Sequence, residues 1–187
     1  MSFPWFSIIE DKSLEQGEII RDCQIPLPSI SIYEGVLDGS MKGNVEVKTS
    51  DIIILSQSCD IENSKIDSII VCPIYSLLDL MEVNQYFDSS KARESLRQGK
   101  EPAYHLINEF KSFEISQPIS VVGFHQIFSI PKEYIEAVAL RNSPRLRLLP
   151  PYREHLSQAF ARYFMRVGLP QNIDRDKIRN IKVVLKK

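Results

Sequence analysis

DIIILSQSCDIENSKIDSIIVCPIYS, residues 51–76, is the stretch whose reading decides the fold. Two short apolar runs, residues 52–55 and 69–72, flank a polar connection holding Gln57, Ser58, Cys59, Asp60, Asn63 and Lys65. Short runs rich in β-branched residues and bounded by turn-formers read as buried strands. The connection therefore presents a thiol, a carboxylate, an amide and an amine at one end of a sheet, where a site can sit.

Toward the N-terminus, GEIIRD (17–22) reads as a strand opening after a glycine turn. Pro26 and Pro28 disfavour a central strand in the segment that follows. Residues 30–33 and 45–48 alternate apolar and polar and are expected as edge strands, ahead of main strands at 51–57 and 68–74. Toward the C-terminus, residues 77–87 and 91–97 read as short helices, the second capped by Ser89 or Ser90 and stopped by Gly99. Residues 119–130 make a further strand candidate, ending at Pro131. Pro150 and Pro151 then open a last helix, YREHLSQAFARYFMRV, which Gly168 stops. Residues 174–180 read as a short polar helix and 182–185 as a final edge strand.

Strands in sequence with helices inserted among them define an α+β chain. The expected architecture is a small bent antiparallel sheet or SH3-like barrel with inserted helices and a C-terminal helix. A length of 187 residues implies one domain. Its barrel-like core takes in about 15–76 and 119–131, with a helical insertion at about 77–100 and a helical cap at 150–187.

The 43% apolar and 25% charged content are ordinary for a globular chain. No apolar run reaches the roughly 18 residues that a membrane span needs. The N-terminus lacks a basic region and a cleavage site, so a cytoplasmic protein is expected. Three cysteines without a CxxC pair fit reduced thiols, with Cys72 inside an apolar strand as a core residue. The net charge of −1 hides an asymmetry: residues 141–187 carry 12 Lys and Arg against 3 acids, and residues 1–140 carry 11 against 21. Such a basic half serves RNA or an acidic protein partner, or pairs with the acidic half of its own chain.

At 100° per residue, Leu156, Phe160, Tyr163, Phe164 and Val167 share one face of the last helix. His155, Gln158, Arg162 and Arg166 fall within about 80° of one another on a neighbouring face. Guanidinium forks bind oxyanions, and an imidazole beside them can move a proton. Arg145 and Arg147, alternating with leucines in RLRL, are expected on the outward side of a strand, where they would join Arg162 and Arg166 in an anion site.

Cys59 and Asp60 make the sharpest local feature. A thiolate nucleophile needs a base or a positive field, and the candidate bases, His105, His125 and His155, are distant in sequence. An Asp after a strand also serves as an Asx turn. No histidine or cysteine pair has ligand spacing, and no glycine-rich phosphate loop or nucleophile elbow occurs, so neither metal nor cofactor is expected.

Three segments resemble the PemK/MazF-type toxins, small SH3-like barrels that cleave RNA. GEII (17–20) is similar to their opening Gly-Asp-Ile-Val strand, DIIILSQ (51–57) to their Pro-Ala-Val-Val-Leu-Ser strand, and IIVCPIYS (69–76) to their third strand, an apolar run into Pro and a Ser/Thr pair. These segments cover about a quarter of the chain. The family's arginine, which precedes its second strand and steadies charge on the scissile phosphate, has Lys48, Thr49 and Ser50 in its place here. The family's hydroxyl falls on Tyr75 or Ser76.

The resemblance implies a prokaryotic toxin or defence protein acting on RNA or another phosphate-bearing ligand. Arg145, Arg162 and Arg166 are then expected to hold phosphate, with Gln57, Cys59, Asp60 and Ser76 at the loop end and His155 as base for metal-independent cleavage. The alternatives are a non-catalytic protein-interaction module, in which a homodimer is possible, and a cysteine-dependent hydrolase built on Cys59.

Overall fold

The computed structural model describes residues 3–39 and 45–165. Arg166, Val167, Gly168 and the elements expected at 174–180 and 182–185 lie outside them. The strands are β1 (Phe6–Ile9), β2 (Glu18–Pro28), β3 (Val45–Ile54), β4 (Ser68–Ser76), β5 (Tyr104–Ile107), β6 (Phe110–Lys111), β7 (Ser116–Gln117), β8 (Ser120–Gly123), β9 (Phe128–Pro131) and β10 (Arg145–Leu148). The helices are α1 (Ile30–Asp38), α2 (Ser58–Glu62), α3 (Leu77–Val83), α4 (Ser90–Arg97), α5 (Lys132–Arg141) and α6 (Tyr152–Phe164). A 3-10 turn, Gln85–Asp88, joins α3 to α4.

The fold is α+β. Eight strands form one antiparallel sheet in the order β1-β10-β2-β3-β4-β8-β5, with β9 placed before β8 along the same edge of β4. The path ends at β1 and β5, so the sheet is bent but open rather than a closed barrel. β6 and β7 form a separate ribbon.

Residues 52–55 are all apolar because this part of β3 is covered on both faces. Ile53 and Leu55 pack with Leu146, Leu148 and, from α6, Leu156 and Ala159. Ile52 and Ile54 pack on the other side with Ile69, Val71 and, from α5, Ile135 and Val138. Each such side chain, fully withdrawn from water, contributes about 1.5–3 kcal/mol. A third cluster sets Leu80, Phe87, Ala92 and Leu96 of the helical insertion against Val121 of β8. Burial pushes the Cys72 thiol up to about 12 and the Cys23 thiol up to about 11, which keeps both as inert core groups.

Local signals place the element ends. Gly17, at φ +81, turns the chain into β2. Ser76 and Asp79 close a capping box at the start of α3. Gly99, at φ +66, follows the end of α4.

Four expectations are corrected. Residues 30–33 belong to α1 and not to an edge strand. Residues 119–130 are two strands, because the chain turns at 124–127 before rejoining β4 as β9. Residues 45–48 are not a strand of their own but the start of β3, while Pro26 and Pro28 agree with expectation, lying where β2 pairs β3 alone among the described residues.

The fourth concerns the arginines of β10. Arg145 and Arg147 are buried, not outward, at 2% and 8% exposure. Arg145 donates to Glu18 Oε1 and to the carbonyl oxygens of Asp11, Ser13 and Ala139. Arg147 reaches Glu15 Oε1 at 2.6 Å and Glu18 Oε1 at 3.2 Å, and Arg153 of α6 reaches Glu15 Oε2 at 3.2 Å. Part of the basic C-terminal half is thus matched to carboxylates of the acidic N-terminal half. Arg145 is a structural group and has no fork left for a ligand. No helix among the described residues is long and apolar enough to cross a membrane.

Candidate functional site

β3 and β4 pair only over Ile52–Ile54 and Val71–Pro73. Beyond Pro73, β4 turns away from β3 and pairs β8 through Ile74, Tyr75 and Ser76. The parting strands open a cleft of about 570 Å³, walled by residues 48–51 on one side and 74–76 on the other. Arg21, Ser116 and Gln117 complete the floor.

Arg21 reaches the cleft because β2 bulges between Ile20 and Cys23, with Asp22 at φ +48. A bulge of this kind re-aims a side chain that regular pleating would have buried. The guanidinium donates to the Ser116 carbonyl and to Gln117 Oε1, which fixes it at the rim. Asp51 Oδ1 accepts the Asp22 N–H at 2.9 Å and holds the bulge in place.

The sharpest convergence lies at one end of the cleft. Lys48 Nζ donates to Gln126 Oε1 at 3.0 Å, and Tyr75 Oη donates to the same oxygen at 3.3 Å. The Tyr75 ring lies against Gly123, where a Cβ would meet its edge at 3.2 Å. Burial and the neighbouring Tyr104 raise the Tyr75 pKa, so its hydroxyl is a donor and not a base. Ser76 lines the cleft too, but its Oγ accepts the Asp79 N–H at 3.0 Å and so caps α3. Of the two hydroxyls that the resemblance offered, Tyr75's is the one that meets Lys48 at Gln126.

The remaining expected residues lie elsewhere. Gln57 and Cys59 line a second cleft of about 400 Å³ with Arg153, Glu154, Ser157 and Gln158 of α6. Ser76 stands opposite residue 49 when the β3–β4 register is extended. About 17 Å of β3 therefore separates it from the α2 end, and these residues do not form one site. Cys59 is exposed, with Asp60 Oδ1 at 3.7 Å from its sulfur. Asp60 also pairs with Lys65 at 3.6 Å. None of the three histidines lines that cleft.

The histidines gather instead where α6 meets β5. His105 is on the same side of β5 as Ile107, which packs in the cluster under α6. His155 and Arg162 are exposed on α6, and their charges act on His105. His125 Nδ1 lies 3.5 Å from Tyr163 Oη on the same helix.

Burial, aided by those two charges, lowers the His105 pKa from 6.5 to about 4. Between these values the unfolded chain holds a proton that the folded chain does not. Stability is therefore full above pH 6.5 and falls as the pH drops from 6.5 toward 4. His105→Gln is expected to flatten this part of the melting-temperature profile, and an unchanged profile would contradict the assignment.

Arg21 and Gln126 were not anticipated from the sequence. The only signal for Arg21 was its place directly after the GEII strand. Comparison with protein-family models, with curated proteins and with solved structures finds no match for the chain.

Proposed function

We propose that the protein binds a phosphate-bearing ligand, single-stranded RNA in the first instance, in the cleft where β3 and β4 part. The observation that carries this reading is the convergence of Lys48 Nζ and Tyr75 Oη on one oxygen of Gln126. An amide oxygen that collects an ammonium and a phenol marks a point where an anionic oxygen is held more strongly. The resemblance to the RNA-cleaving barrels supports it, because Lys48 is one of the three residues in the place of their arginine, with Thr49 and Ser50, and Tyr75 is in one place of their hydroxyl. The protein is then a cytoplasmic one of the toxin or defence kind.

Cleavage in this cleft needs no metal. A base takes the 2′-hydroxyl proton, the freed oxygen attacks phosphorus, a cation balances the charge of the phosphorane, and the 5′-oxygen leaves and takes a proton from water, giving a 2′,3′-cyclic phosphate and a 5′-hydroxyl. Lys48 is the cation and Asp51, on the same wall, the base. Arg21 and Lys48 share the cleft with Asp22, Asp51 and Asp79, so its two cations can meet two phosphates at most, and a long backbone track is excluded. The test is titration of a labelled RNA oligomer at several salt concentrations. A shallow slope is expected, about −1.4 for two neutralised phosphates of a single strand. No binding by the folded protein would remove this reading.

The protein-interaction module is the second reading, and an exposed strand edge favours it.

A further inference from the structure

Beyond the main sheet, β2 and β3 continue as a two-stranded ribbon, paired through Cys23–Pro28 and Val45–Ser50. One face of the ribbon carries Ile25, buried in the cluster under α5. The other carries the cross-strand pairs Pro26 with Val47 and Pro28 with Val45, all four exposed. On the side away from β2, β3 meets another strand only at Ile52–Ile54, so residues 45–50 have no strand partner there among the described residues. Prolines and bulges normally blunt such edges. β2 carries both devices, whereas residues 45–50 of β3 carry only the charged side chains Glu46 and Lys48, which repel a neighbour unless it sets opposite charges against them.

We infer that this edge of β3 pairs with the same edge of a second copy of the chain. The sequence of the edge selects the partner. An antiparallel pairing about a two-fold axis through Val47 sets Val47 against Val47, Val45 against Thr49, and Glu46 against Lys48 of the other copy, twice over. Opposite charges directly across a strand pair stabilise it, and like charges oppose it. Lys48 gives one of its three ammonium donors to Gln126, and the facing carboxylate takes the place that the proposed function gives to a phosphate, so the paired and the RNA-bound forms exclude each other at this residue. The register is self-complementary only about this axis. Centring on Glu46 or Lys48 would oppose two like charges, and centring on Thr49 would put Lys48 against Ser50 and leave Glu46 without a partner.

Light scattering across a concentration series tests this on wild type, Glu46→Lys and Glu46→Lys/Lys48→Glu. Both substituted side chains are on the ribbon, away from the buried core, and circular dichroism checks that each variant is folded. Wild type is expected to dimerise. Glu46→Lys, with four lysines across the axis, is expected to weaken the dimer about tenfold or more. The double substitution restores opposite charges and is expected to recover most of the loss. A wild type that stays monomeric would overturn the inference. So would a dimer indifferent to Glu46→Lys, or a folded double variant that fails to recover.

Discussion

Arg145→Ala is expected to destabilise the protein by about 3 kcal/mol, the lower end of the range for breaking a buried ion pair. The side chains of Arg145 and Glu18 are 1% and 0% exposed, so deleting one leaves the other buried and uncompensated. Burial already raises the Glu18 pKa against the pull of both arginines. The loss stays at the lower end because Arg147 still reaches Glu18 Oε1 at 3.2 Å. It should appear as a lower urea midpoint with an unchanged slope. An arginine serving a ligand on the outer face of a strand would cost within about 0.5 kcal/mol. A small effect on stability together with a large effect on RNA binding would restore Arg145 to the anion site.

The second large effect is on binding. Lys48→Ala removes a charge-assisted hydrogen bond of about 1.5–3 kcal/mol, so RNA affinity is expected to fall about 10- to 100-fold. Tyr75→Phe removes a neutral donor and is expected to cost about three- to tenfold. Both donors act on one oxygen, so the double variant should lose less than the product of the two. Full multiplicativity would mean that the two side chains meet the ligand separately. The same titrations on Arg162→Ala and on Cys59→Ser should leave affinity within about twofold, since neither residue lines the cleft.

Much of the fold is legible in the chain because its strongest signals are local. The four consecutive apolar residues 52–55 read as a strand covered on both sides, and both clusters that cover them are present. The αL glycines after the loop before β2 and after α4, and the prolines before α6, put ends where the structure has them. α1 was misread because Ile30 and Ile32 alternate with serines, while Ile32, Tyr33, Val36 and Leu37 fit a helical face. Most of that face is solvent-exposed, so no packing demand reveals it. α5 was legible in principle: Ile135, Val138 and Ala139 follow helical spacing directly after Pro131.

The site was legible only in part. Periodicity shows that Arg145 and Arg147 share a side of β10, but not which side faces water. That is decided by Glu18 and Glu15, more than 120 residues away in sequence. Lys48 and Tyr75 were marked by resemblance. Gln126, which joins them, enters through the turn between β8 and β9, and Arg21 enters through a bulge. Both depend on register, which is set by pairing across the whole sheet. Residues 51–76 still contribute to both walls of the cleft, but through Asp51 and Tyr75 and not through Cys59.

Amide shift mapping with a short RNA is the most direct measurement, made on the isotope-labelled protein at low salt. The expected result is a contiguous set of perturbed amides at residues 48–51, 75–76 and 126, with the Lys48→Ala variant losing them together. Perturbations confined to α6 around His155 and Arg162, with the cleft silent, would contradict the assignment of the site.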